Sequence, residues 1–145
     1  MATDHRPHLR LRIGSLLAKE HEPVSAEVVE VLATVGDGYL ELTGTPLLVR
    51  MGVVSWETAY DGVAAEMAEE YLAGRRPQPG RRPADLGEFR KAVVEALEPA
   101  EPGAPPVVAD VLATLALGGW HEADARGGRA EYARHLVGLY LRGLG

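Results

Sequence analysis

Ser25–Gly44, SAEVVEVLATVGDGYLELTG, reads either as one long helix or as a helix that breaks and turns into a hairpin, and the choice sets the fold class. Pro23 and Ser25 supply a helix start, since a serine hydroxyl satisfies an amide of the first turn. Glu27, Glu30 and Thr34 then fall on one side and Val28, Val31, Leu32 and Val35 on the other. The apolar spacing Val28, Leu32, Val35, Tyr39, Leu42 continues past Gly36 and Gly38, which predicts a helix running to Thr43 and stopping at Gly44. Two glycines inside a helix cost about 1 kcal/mol each relative to alanine, so a break at 36–38 competes. A hairpin through residues 38–44 is the alternative, and it would make the protein α+β.

The remaining segments favour helices. In SWETAYDGVAAEMAEEYLAG, residues 55–74, Ser55 is a cap and Trp56, Tyr60, Val63, Met67 and Tyr71 share a narrow arc at about 100° per residue. Over residues 8–20, Leu9, Leu11 and Ile13 alternate as in a strand while Leu9, Ile13, Leu16, Leu17 and Glu20 follow helical spacing, and the SLLAKE ending favours a helix, preceded by a loose arm over 1–7. Thr45–Pro46 opens a short helix, PLLVRMGVV, expected to be mostly buried. Asp85 and Glu88 form a D-x-x-E capping pattern ahead of the stripe Leu86, Phe89, Val93, Leu97. From Pro106, VVADVLATLALGG has only Asp110 and Thr114 as polar residues, which predicts a central, covered helix. The last helix, 128–144, turns Tyr132, Ala133, Leu136, Val137, Tyr140 and Leu144 inward and Glu131, Arg134, His135, Gly138 and Arg142 outward. Proline-rich connectors occupy 75–83 and 99–105. The expectation is all-α: six or seven helices in an irregular bundle forming one domain over 1–145. VVEVLAT at 28–34 echoes VADVLAT at 108–114 in five positions, but the identity stops there.

Composition limits the function classes. No cysteine excludes thiolate metal centres, disulfides and a cysteine nucleophile. The net charge of −6 disfavours general nucleic-acid binding. Arg75, Arg76, Arg81 and Arg82 concentrate positive charge in one loop, a candidate partner-binding surface on an otherwise acidic body. The longest apolar run, Val107–Leu117, is interrupted by Asp110 and too short for a membrane span. The amino terminus lacks the apolar core of a signal peptide, so a cytoplasmic location is expected.

Candidate chemistry is sparse. Asp110, a carboxylate in an apolar helix, and His121 are the candidate catalytic groups. Trp56, Tyr60, Tyr71 and Trp120 are the candidate lining of a pocket for a small apolar ligand. Trp120, His121, Glu122 and Asp124 gather in a connector, where binding residues often sit. Glu131 and His135 have the i,i+4 spacing of metal ligands, yet they lie on the polar face of the last helix and read as a solvated pair. Asp4, His5 and His8 read as terminal side chains titrating with solvent, and Glu66, Glu69 and Glu70 as an exposed acidic face. No G-x-x-x-x-G-K, G-x-S-x-G, H-E-x-x-H or calcium-loop motif occurs, so no metal and no cofactor is implied. These features predict a non-catalytic helical interaction or regulatory module that associates with itself or another protein, with a ligand-binding protein or enzyme using Asp110 or His121 as the alternative.

Overall fold

A computed structural model describes residues 4–76, 83–120 and 128–145. The described residues form seven helices and no strand: α1 Arg6–Lys19, α2 Ala26–Leu42, α3 Thr45–Arg50, α4 Trp56–Arg75, α5 Pro83–Leu97, α6 Pro106–Gly119 and α7 Arg129–Leu144. Residues 25–44 are therefore one helix with Ser25 as its cap, its hydroxyl accepting the Val28 amide at 3.3 Å, and Thr43 at its end. No hairpin forms at 38–44.

The chain divides into two compact units, Met1–Ala68 with Leu139–Gly145, and Glu69–Gly138. In the first, α2 is buried on every side from Val31 to Gly38. The two glycines that argue for a break are its points of closest approach. A Cβ on Gly38 would stand 1.9 Å from the Leu139 carbonyl oxygen, and one on Gly36 would stand 2.9 Å from Val63 Cγ1. At Gly38 the helix trades propensity for a backbone contact that no larger residue permits, and at Gly36 for close packing against the Val63 and Leu9 side chains. Leu9, Ile13 and Leu17 of α1, together with Tyr60, Val63 and Met67 of α4, complete this core. In the second unit α6 takes the central place, as its composition predicts, with Val108, Val111, Leu112, Leu115 and Ala116 buried. Phe89 and Val93 of α5 and Leu136 and Val137 of α7 are buried as well.

The short sequence echo extends into a structural repeat. At a constant offset of 80, Leu9, Ile13 and Leu17 correspond to Phe89, Val93 and Leu97, all buried. Ser25 and Pro105 precede the first residues of α2 and α6. Thr34 donates to the Glu30 carbonyl and Thr114 to the Asp110 carbonyl, both at 2.8 Å. Arg10 pairs with Glu30 at 2.9 Å and Arg90 with Asp110 at 2.6 Å. At an offset of 69, Ala64, Met67, Tyr71 and Gly74 of α4 correspond to Ala133, Leu136, Tyr140 and Gly143 of α7. A Cβ on Gly74 would meet the Thr114 carbonyl oxygen at 2.0 Å, and one on Gly143 the Thr34 oxygen at 1.8 Å. The helices α5, α6 and α7 thus repeat α1, α2 and α4. The two offsets differ by 11 residues (80 less 69), and that surplus is the segment of α3 between α2 and α4.

Several expectations change. The helix over PLLVRMGVV is not buried: Leu47, Leu48, Met51 and Val53 are exposed. A segment that the repeat does not require sits outside the core that the repeat builds. The arm shortens, because α1 starts at Arg6 and His5 is buried. Among the connectors, α4 continues to Arg75 and α5 starts at Pro83, so Asp85 lies inside the helix rather than capping it. Asp85 is buried and Leu86 exposed, the reverse of the predicted stripe, because Arg129 of α7 draws the carboxylate inward.

Candidate functional site

Three places in the structure bear on function. The first is the α3 segment. Gly44 adopts φ 72°, which ends α2 and turns the chain into α3, and Gly52, at φ 76°, ends α3 in the same way. Between and beside these turns Leu42 is 44% exposed, Leu47 56%, Leu48 37%, Met51 65% and Val53 66%. Five large apolar side chains within twelve residues of sequence form a patch of a kind that isolated surface residues do not.

The second is a polar cluster in the first unit. His5 lies under Trp56, ring centroids 4.2 Å apart, and its Nδ1 shares a hydrogen bond of 3.1 Å with the Tyr60 hydroxyl. His8 stacks on Tyr60 at 5.0 Å, and Arg12 lies 5.6 Å from the same ring while pairing with Asp61. Asp37 of α2 is buried, and neither its Oδ1 nor His5 Nε2 has a hydrogen-bond partner among the described residues. Burial pushes the Asp37 carboxyl up to about 6, with the charges of Asp4 and Glu41 adding to it and the His5 amide and Arg6 opposing it. Burial also lowers the pKa of His5, against the pull of Glu41 and Asp4.

The third is the corresponding position of the second unit. Asp85, Glu88 and Arg129 stand where His5, His8 and Tyr60 stand in the first. Arg129 pairs with Asp85 at 3.1 Å and also with Glu88, and its guanidinium lies 5.1 Å from the Trp120 ring. The first unit thus ties the start of α1 to the start of α4, and the second ties the start of α5 to the start of α7. One uses a histidine–tyrosine contact, the other an ion pair. Leu117 occupies the place of Asp37.

The residues singled out in the sequence scatter over these places. Asp110 is not buried: its side chain is 58% exposed and held by Arg90, because α6 presents it to solvent between buried neighbours. Trp56 and Tyr60 come together at 5.5 Å, closed over by His5. Tyr71 belongs to the second unit, where Arg75 lies 5.7 Å from its ring. Trp120 packs edge-on against Phe89 at 6.0 Å, and its Nε1 finds no acceptor among the described residues. His121, Glu122, Asp124, Arg81 and Arg82 lie outside the described residues. Arg76 is exposed, as are Glu66, Glu69, Glu131 and His135. Among the described residues, no group of three or more His, Asp or Glu side chains is arranged to hold a metal ion. Nor is any helix long and apolar enough to cross a membrane.

Sequence reasoning assigned His5 to solvent and passed over Asp37, whereas both are buried. The pattern held one signal for each: a histidine two residues before the proline of a helix start, and a carboxylate flanked by two glycines. No protein-family model matches the chain, and no curated protein or solved structure matches it.

Proposed function

We propose that the protein is a non-catalytic helical interaction module that associates with a second copy of itself through the apolar face of the α3 segment. One observation carries the reading: the residues that the first repeat has and the second lacks are the ones that leave Leu47, Leu48, Met51 and Val53 in solvent. What both repeats share is enough to build the fold, so the additional segment answers to another requirement. Its exposed side chains, with Leu42, amount to roughly 500 Å² of apolar surface, in the upper part of the range for the largest patch on a monomer. A standard interface buries about 800 Å² on each partner, so this patch with its rim supports a modest, concentration-dependent association. A patch centred on one short helix is suited to an isologous pair, in which the same residues meet across a twofold axis. The net charge of −6 and the absence of cysteine are compatible with a cytoplasmic protein that binds protein rather than nucleic acid.

Sedimentation velocity over a wide concentration range tests this. The native chain should show a monomer–dimer equilibrium. Leu47→Glu with Met51→Glu should shift it to monomer with an unchanged melting curve, since both positions are exposed in the monomer. A native protein that stays monomeric at the highest concentration, or a double variant that dimerises as well as the native chain, would sink the proposal.

A further inference from the structure

α4 and α7 each belong to both units. The first unit takes α4 as far as Ala68 and the second takes the rest, while α7 divides in the opposite order, with Leu139–Gly145 in the first unit. Each of these helices packs its first part on the second helix of its own repeat. Val63 and Met67 of α4 lie against Gly36 of α2, and the Tyr132 hydroxyl of α7 lies against Gly119 of α6. The last turns of each go to the other repeat.

Those last turns dock in the same manner twice. In the first unit, a Cβ on Gly38 would collide with the Leu139 carbonyl and one on Gly143 with the Thr34 carbonyl. In the second, a Cβ on Gly118 would collide with the Glu70 carbonyl and one on Gly74 with the Thr114 carbonyl. Gly38 and Thr34 correspond to Gly118 and Thr114 at the offset of 80, and Leu139 and Gly143 to Glu70 and Gly74 at the offset of 69. The four approaches are therefore one reciprocal contact, a glycine of each helix against a carbonyl of the other, made by α2 with α7 and again by α6 with α4. Backbones that meet this closely admit only glycine at the point of contact.

The receiving helix and the donated helix come from different repeats in both cases. The chain is thus a pair of three-helix modules that have traded the ends of their third helices, joined by the connector between Arg76 and Pro83. We propose that two copies of the chain pair by exchanging repeats, the α7 of one copy completing the first unit of the other. Exchange of identical elements restores the docking contacts of the closed monomer and yields a closed twofold dimer. The connector opposes it by holding the two repeats of one chain at an effective concentration on the order of 1 mM. Pairing between copies competes as the protein concentration approaches that value. The docking contacts involve α2, α4, α6 and α7, so the exchange does not depend on association through α3.

The test uses the full chain with Leu47→Glu and Met51→Glu, which removes the α3 face from the outcome, and with a protease recognition sequence placed between Arg76 and Pro83. Once cut there, the monomer should keep both fragments together at its original size in sedimentation velocity. After refolding from urea at about 1 mM, roughly half of the chains should be dimeric, against a few in a hundred at about 0.01 mM. Cutting that dimer should release particles of monomer size, because each docked pair then holds one fragment from either copy. A dimer that keeps its size after cutting overturns the proposal. So does refolding to monomer alone at about 1 mM, or separation of the two fragments when the monomer is cut.

Discussion

Replacing Asp37 with asparagine should raise stability at pH 8 and leave it nearly unchanged at pH 4. The carboxyl sits in the buried stretch of α2 and ionises at about 6 instead of 3.8. An acid whose pKa is raised by folding holds its proton more tightly in the folded chain, so stability is greatest below the unfolded value and falls as pH rises towards the folded one. The loss develops between about 4 and 6 and is complete above that window. A difference of roughly two pKa units at 1.36 kcal/mol each amounts to about 3 kcal/mol. Asparagine keeps an acceptor for the His5 amide and removes the charge, so up to about 3 kcal/mol should return at pH 8. In a chain of this size that corresponds to a rise in Tm on the order of 10 °C. His5 works in the opposite sense, because its pKa is lowered by burial and its contribution is lost as pH falls below the ordinary histidine value. It is present in both proteins and cancels in the difference. Urea denaturation followed by circular dichroism, at intervals from pH 4 to pH 8, gives that difference curve. Asp37→Leu, which copies Leu117 of the second repeat, should behave alike at high pH. A constant difference across the range, or an asparagine variant less stable than the native chain at pH 8, would refute the account of Asp37 as a buried charge borne at the expense of stability.

Other substitutions separate glycines by role. Gly38→Ala would place a Cβ 1.9 Å from the Leu139 carbonyl, and should cost about 3 kcal/mol or more in chemical denaturation because backbone must move. Gly14→Ala in α1 meets nothing within 4 Å, and should add about 0.5–1 kcal/mol through helix propensity alone. Asp110→Asn should change stability by no more than about 0.5 kcal/mol, since its pairing with Arg90 is exposed on both sides. Arg129→Met removes a partner from buried Asp85 and should cost near the lower end of the ~3–5 kcal/mol seen for broken buried pairs, as Arg129 is itself partly exposed. Equal effects of Asp110→Asn and Arg129→Met in the same denaturation assay would show that burial does not set the energy of these pairs.

By itself the sequence determined what depends on the order of residues along one helix. Period located the helices, the central place of α6 and the buried stripes other than those expected at Leu86 and in α3, and Glu131 and His135 could be assigned to solvent from their angle on α7 alone. The helix through Gly36 and Gly38 was legible only as one of several readings, because its deciding contact, with the Leu139 carbonyl, comes from a residue about a hundred positions away. The same limit applies to Asp110 and Asp37. Each is a carboxylate among apolar or small residues of a helix, and only the glycines on either side of Asp37 set the two apart locally. Packing turns one to solvent beside Arg90 and shuts the other beneath His5. The repeat left only five matching residues in its echo, since burial constrains size and polarity rather than identity: Leu9 and Phe89 fill corresponding core positions, and a histidine–tyrosine contact does in one unit what an ion pair does in the other. Only with that correspondence established does α3 stand out as an addition, its leucines exposed because the core it adjoins was already complete.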